Sequence, residues 1–468
     1  MPGRRSEPNS PPPDYAAYPI NEDTPLLNTE ASGGHGGEGH EGGSAFNAFF
    51  TMASACAGAG ILSLPLAAAK IGVLPVFLTL IVFGYINSFT LRLLADLTDK
   101  HRPEMNKTQF SYEQLVLCVF GPRVGSVFSW IIVLTQFGSL TAYWVILLDL
   151  SIPVMVDNHW LTGIATDDLR AAVAYGLAVA LLFPLSFYEK IHNLWIVVVL
   201  AIASVVWTAG ILVQEGWSAH QDGSAAGQLD HVGLTAADWV QTLPAIVFTF
   251  NCHQQLTPVY GWTRPDVRRL VKKGVLPGAI IFCSVAYMFT AVAGYVKFGE
   301  ATKGDILLNF DNSTLTAPWK ADSSKMLMAI HVVFVYPVVL FPLLRALDSE
   351  LPERWTSSGS LTATGARNLM VILLTATLAI FLPDVEVVFG FVGGVLAAQS
   401  VFIFPCAMML YVETRPRGYA ELSDSVGAES PEGTSLTRTL YLLTCALLFF
   451  FGLFLVASSL YVSIKGGG

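Results

Sequence analysis

The sequence predicts an all-α polytopic membrane protein with eleven transmembrane helices, and three observations carry that expectation. Of 468 residues, 53% are hydrophobic and only 13% are charged, about half the roughly 25% charged share of a soluble chain. The apolar residues run in long blocks rather than stripes or alternation. Blocks of about 20 residues match a hydrocarbon core of roughly 30 Å at about 1.5 Å per residue. Lys and Arg then gather in alternate connections between blocks, which fixes an orientation. The net charge of −9 belongs mostly to acidic tails and non-cytosolic loops, and no basic tract points to nucleic acid.

Residues 1–44 open the chain with a Pro triplet, Pro11 to Pro13, and a Gly/His/Glu stretch from Gly33 to Gly43. Such a segment buries too little apolar surface to offset its ordering entropy, so it is expected to be a disordered cytosolic tail. It lacks the apolar core of a signal peptide. Within it, Glu22, Leu26 and Leu27 have the spacing of an acidic dileucine signal. Adaptor complexes read such signals and send cargo to lysosomes or vacuoles, so the vacuolar or lysosomal membrane is expected over the plasma membrane.

The spans are expected at 45–69, 73–95, 125–155, 171–188, 191–214, 237–260, 275–297, 325–347, 367–383, 385–412 and 438–464. With a cytosolic amino terminus, the basic clusters Arg92, Lys100, Arg102, Lys107, Arg123 and Arg264, Arg268, Arg269, Lys272, Lys273 all fall on the cytosolic side. The carboxyl terminus then lies opposite. Residues 215–236 become a non-cytosolic loop and 413–437 a cytosolic one. Asn312-Ser-Thr, in the non-cytosolic 298–324 connection, is a glycosylation candidate. The six cysteines fall in or beside apolar blocks without a CxxC pair, which argues against a disulfide framework or a cysteine metal site.

Two spans look interrupted. The first contains SACAGAGILSLP, Ser54 to Pro65, where Ala57, Gly58, Ala59 and Gly60 make a poor helix interior. Such small residues serve either close helix packing or a break. The sixth contains FTFNCHQQLTPVYGW, Phe248 to Trp262. Its polar groups Asn251, His253, Gln254 and Gln255 must face protein, water or ligand at that depth, and Pro258 removes a backbone donor. Interruptions at corresponding positions of two inverted halves point to a transporter site near the bilayer midplane. On the third span Gln136, Ser139 and Tyr143 form one polar stripe, and Gln399 and Ser400 lie midway along the tenth. Each stripe serves a helix–helix hydrogen bond or a substrate contact.

SACAGAGILSLP, FNCHQQLTPVY, YVKFGE (Tyr295 to Glu300) and YPVVLFPLLR (Tyr336 to Arg345) together resemble the amino acid/auxin permease family. Within it they are similar to neutral amino acid transporters and fungal vacuolar amino acid transporters. The resemblance spans about 45 to 464. It implies a LeuT-type fold: a first repeat over 45–214, a second over 237–412, and a peripheral eleventh span with its tail over 438–468. It also implies that Ala57, Gly58, Ala59 and Gly60 meet the substrate carboxylate. Phe250, Asn251 and Cys252 would supply sixth-span contacts, with Gln136, Ser139, Tyr143 and Gln399 available to the substrate side chain.

Sodium-coupled members of this fold place a Thr or Ser just before the proline of the eighth span, whereas this chain reads His331-Val-Val-Phe-Val-Tyr336-Pro337. Proton linkage is therefore expected over sodium, with His253 the first titrating candidate and His331 the second. The expected function is secondary active transport of small neutral amino acids. An amino acid sensor on the same fold and a sodium-coupled symporter are the alternatives. No HExxH, GxSxG or phosphate-binding Gly loop suggests an enzyme, and no cofactor or metal is called for.

Overall fold

A computed structural model describes residues 44–105, 110–157, 166–187, 194–228, 235–311, 314–351, 361–414 and 435–465. Glu22, Leu26, Leu27 and Asn312 lie outside the described residues, as do 1–43 of the amino-terminal segment and 415–434 of the connection before the final helix.

Among the described residues the chain is built of helices without a strand. In order these are α1 (Ala45–Cys56), α2 (Leu64–Ile71), α3 (Val73–His101), α4 (Tyr112–Phe120), α5 (Pro122–Asp157), α6 (Thr166–Leu177), α7 (Leu194–Gln221) and α8 (Ala236–Thr249). Then come α9 (His253–Trp262), α10 (Leu276–Phe298), α11 (Pro318–Glu350), α12 (Leu361–Phe381), α13 (Val385–Phe391), α14 (Phe404–Thr414) and α15 (Ser435–Lys465). Among the described residues, eight helices are long and apolar enough to cross a membrane by length and composition, or nine if the pair at the first break counts as one span. This is a multi-pass membrane protein.

Turn chemistry sets the helix ends. Gly72 takes φ 93° between α2 and α3, a left-handed conformation that an L side chain rarely adopts. Ser44, Ser111 and Thr235 each accept a backbone N–H three residues on, capping α1, α4 and α8. The last two caps open helices with apolar residues on one side. In α4 these are Tyr112, Leu115, Val116 and Val119, all buried. That short helix falls where the apolar blocks suggest only a connection. Helix α7 likewise runs on to Gln221, past the expected end at 214.

Burial sorts the helices into layers. In the most apolar window of the α5 helix 78% is buried, against 22% for α15. Helix α5 therefore lies at the centre, where it packs on α11, and α15 lies on the outside. The outer faces of α3 (Leu74, Leu78, Ile81, Tyr85) and α15 (Leu440, Leu447, Phe450, Ile464) expose large apolar side chains. An apolar skin of this extent suits lipid and not water. Between α13 and α14 the helix widens into two π-helical stretches, Val392–Ala397 and Gln399–Ile403. There Gly393 lets the backbone meet α8, since a Cβ would lie 2.0 Å from the Pro244 carbonyl oxygen.

One end of α7, α10 and α11 is joined by charge. Glu215 is fully buried, 2.7 Å from Lys320 and 3.3 Å from Lys297, and it accepts the Thr316 amide at 3.1 Å. A carboxylate so enclosed needs partners on every side.

Candidate functional site

The first interruption falls where the glycines and alanines sit. Helix α1 ends at Cys56, a 3₁₀ turn runs from Ala59 to Ser63, and the two arms are bent by 43°. The second falls at Phe250–Cys252, between α8 and α9. Each break leaves carbonyls at one helix end and N–H groups at the next without intrahelical partners.

The two breaks touch. Thr249 Oγ1 donates to the Gly60 carbonyl at 3.2 Å, and a Cβ on Gly60 would lie 2.9 Å from Thr249 Cα. Only glycine permits this approach. Gly58 is less confined, since a Cβ there would stand 3.5 Å from the Tyr143 hydroxyl, an ordinary contact. Tyr287 of α10 donates to the Cys56 carbonyl at 2.6 Å and reaches the Thr249 carbonyl at 3.1 Å. One phenol thus serves the terminal carbonyls of both α1 and α8.

Around this junction lies an enclosed cavity of about 50 Å³, to which Gly58, Ala59, Gly60, Gln136, Ser139, Tyr143 and Asn251 all contribute. These seven expected site residues come from three distant stretches of chain and meet at one place. Ala59 and Gly60 head the 3₁₀ turn, so their amides occupy the unpaired, partly positive end of a helix. Asn251 Oδ1 accepts from Ser400 Oγ at 3.3 Å, and Gln136 Nε2 donates to the Val339 carbonyl at 3.4 Å.

Other expected residues lie off the cavity wall. Ala57 caps α1 and is not part of the lining. Phe250 packs edge-on against Tyr287, and the Cys252 thiol faces Asn87 of α3 at 3.9 Å. Gln399 donates to its own helix, to the Val395 carbonyl at 2.8 Å. His253 turns toward α3, its Nε2 2.8 Å from Thr90 Oγ1. His331 pairs with Ser204 of α7 at 3.2 Å, and neither histidine lines the cavity. Before Pro337, the Tyr336 hydroxyl is engaged by Thr375 and Trp144.

The lining also holds groups that sequence reasoning did not place there: Cys56, Phe248, Thr249, Gln254 and Gln255. Gln254 is buried, and both of its amide atoms lack a hydrogen-bond partner among the described residues. The signal was available, because Gln254 and Gln255 belong to the polar run of the sixth span. Tyr287 carries no such signal, being one aromatic in an apolar block.

Two polar clusters bridge neighbouring helices at opposite ends of α3, and in the reading proposed below they act as seals. At one end Lys70 of α2 pairs with Glu386 of α13 and reaches Gln241 of α8 at 3.4 Å. At the other, Tyr260 of α9 donates to Asp99 of α3 at 2.7 Å, and Arg102 donates to the Gly261 carbonyl at 3.0 Å. Lys272 joins Asp96 at 2.8 Å and Asp99 at 3.3 Å. The 29 residues of α3 separate these two seals, roughly 40 Å at about 1.5 Å per residue.

The chain is 26% identical to amino acid transporter AVT6B of Arabidopsis thaliana, over 84% of this chain and 87% of that one. It is 24% identical to vacuolar amino acid transporter 5 of Schizosaccharomyces pombe, over 86% and 93%. It is 25% identical to sodium-coupled neutral amino acid transporter 7 of Bos taurus, over 79% and 80%. Among solved structures, the Eremococcus coleocola manganese transporter superposes with a TM-score of 0.53 over 93% of this chain and 91% of that one. At 11% identity that likeness shows a shared fold alone. The family described as transmembrane amino acid transporter protein matches residues 41–419. The chain belongs to this family of transmembrane amino acid transporters, and it is a transporter rather than an enzyme.

Proposed function

We propose that the protein is a secondary active transporter of small neutral amino acids that works by alternating access around the breaks in its first and sixth spans. The observation that carries this reading is the contact of the two breaks, Gly60 against Thr249, beside a cavity lined by both. The substrate carboxylate meets the amides at Ala59 and Gly60, where the helix end favours an anion. The ammonium meets Asn251 and the Thr249 carbonyl, which can accept a second hydrogen bond. The α5 stripe of Gln136, Ser139 and Tyr143, with Gln254, faces the substrate side chain.

In this reading the eleven spans form a LeuT-type pair of inverted repeats, 45–214 and 237–412, with a peripheral final helix over 438–468. The external position of α15 supports that arrangement. The amino terminus is cytosolic, so the Lys70–Glu386 seal faces the lumen and the Tyr260–Asp99 seal faces the cytosol. The dileucine spacing at Glu22, Leu26 and Leu27 recruits an adaptor complex and directs the protein to a vacuolar or lysosomal membrane. A glycan on Asn312 would lie in the same lumen.

Transport is linked to protons. No free hydroxyl precedes Pro337 for a sodium ion, and the Tyr336 hydroxyl is already engaged. His253, beside the second break and bonded to Thr90, is the coupling residue of this proposal. Counterflow in proteoliposomes with a panel of labelled amino acids, at two lumenal pH values, tests the whole reading. Exchange of small neutral amino acids that follows a proton gradient and survives sodium replacement is expected. A strict sodium requirement would instead select the symporter reading, and binding without turnover would select a sensor.

A further inference from the structure

A second cavity, about 410 Å³, lies at the Lys70 end of the bundle, where the connection from α10 to α11 meets the ends of α2, α5 and α13. Four carboxyl groups line it. Three have clear partners. Asp149 of α5 is 2.8 Å from Arg170, Glu386 pairs with Lys70, and Asp384 caps α13 by accepting the Glu386 amide at 2.9 Å.

Asp305 differs from them. It is 1% exposed, and its Oδ1 accepts the Leu307 amide at 2.8 Å, capping the 3₁₀ turn Ile306–Asn309. Its Oδ2 is buried with no hydrogen-bond partner among the described residues. An ionised carboxylate is costly in such a place. Among the described residues no cation forms an ion pair with it. Lys70 and Arg170 are engaged as above, and Lys303 of the same connection bends to the Leu308 carbonyl at 3.3 Å. The positive charge of Lys325 on α11 is the weakest influence on it, and the Asp149 charge opposes that influence. Burial therefore dominates and pushes the carboxyl up to about 7. The turn itself is close-packed on the seal, since a Cβ on Gly304 would lie 3.2 Å from Glu386 Cβ.

We infer that Asp305 is a proton-binding site, and that its bound proton holds the α10–α11 connection closed over the Lys70–Glu386 pair. Placing this site on the lumenal side rests on the orientation proposed above, but proton binding and loop closure do not depend on transport. The sign follows from linkage. An exposed Asp titrates near 3.9, whereas Asp305 in the closed turn titrates near 7. Closure is fully favoured below about pH 4, weakens tenfold per unit as pH rises toward 7, and is flat above. Between pH 5 and pH 7 the closed-to-open ratio is expected to fall by about 50-fold.

Hydrogen exchange of the 299–311 peptide in the purified protein, without substrate and corrected for intrinsic rates, reads this directly. Protection should fall by tenfold or more between pH 5 and pH 7.5 in the parent protein and stay high and flat in Asp305→Asn. The same slope in both proteins, or no slope in the parent, overturns the inference. Infrared titration of the unmutated protein should also show a carboxylic-acid carbonyl band lost near pH 7, with its frequency moved in Asp305→Glu. Absence of any such band would sink the proposal even if Asp305→Asn failed to fold. Both measurements stand apart from counterflow, so loss of one reading leaves the other intact.

Discussion

The hydroxyl of Tyr287 stands 2.6 Å from the carbonyl oxygen of Cys56, and the same hydroxyl reaches Thr249 at 3.1 Å. A single buried side chain on α10, with one proton to give, therefore lies against the ends of two broken helices. Removing that hydroxyl in Tyr287→Phe takes away one buried donor while the Cys56 carbonyl keeps the Gly58 amide at 2.7 Å, at about 0.5–1.5 kcal/mol for a lost hydrogen bond. The ring keeps its contact with Phe250, so folding should survive with a lowered melting temperature. Uptake should fall further than stability, because the breaks lose their common anchor. Thermal unfolding and uptake measured on the same preparation check this.

The two glycines of the first break should respond differently to one added methyl group. In Gly60→Ala the new Cβ meets Thr249 backbone at 2.9 Å, and neither helix can yield without separating the breaks. Transport should be lost. In Gly58→Ala the methyl group sits at van der Waals distance from the Tyr143 hydroxyl, so the protein should fold and transport. It should do so with poorer KM for larger substrates, because the methyl group takes space in the cavity. Equal loss in both variants would contradict the assigned geometry.

The two seals should act in opposite directions. Lys70 and Glu386 are partly exposed, with side chains 24% and 33% accessible, and such pairs contribute roughly 0–1 kcal/mol to stability. Lys70→Gln should leave the melting temperature nearly unchanged. It should favour the state open at its own end, raising the labelling rate of a cysteine placed at Leu66. Tyr260→Phe removes the donor to Asp99 at the far end and should lower that rate. Labelling of Leu66→Cys in the two backgrounds decides the matter.

Glu215 presents the opposite balance of structure and access. It is fully buried between two ammonium groups, so Glu215→Ala leaves uncompensated charge inside the protein at a cost of about 3–5 kcal/mol. Loss of folded protein by fluorescence-detected chromatography is the expected outcome. Glu215→Gln should be only partly rescued, because an amide accepts the Thr316 hydrogen bond without neutralising Lys320.

Much of the bundle was legible because lipid imposes length and composition on every span. Helices α3, α5, α10, α11 and α15 fall where their apolar blocks lie. The breaks were legible too, since glycine pairs and a run of Asn, His and Gln are costly inside an apolar helix. Legibility failed where side-chain direction decides the outcome. Cys252, His253 and Gln254 are consecutive, yet only Gln254 lines the cavity, because each helical residue turns about 100° from the last. Tyr287 and Thr249 escaped notice because their partners are distant backbone carbonyls, which leave no mark in a sequence. The short α4 did show a capping Ser111 and apolar residues at helical spacing, but polar neighbours made it resemble a loop.

The salt-linked knot at Glu215 has a mechanical meaning. Because separating its members would strip charge of its partners, the adjoining ends of α7, α10 and α11 behave as a fixed post. In the alternating access proposed above, α10 would then swing rather than slide, with a displacement that grows with distance from the post. Tyr287 lies part-way along that lever and would pass a small rotation to both broken stretches of backbone. Under the alternating access proposed above, the widest travel would fall at the Lys272 end, where the pairs with Asp96 and Asp99 would have to part first.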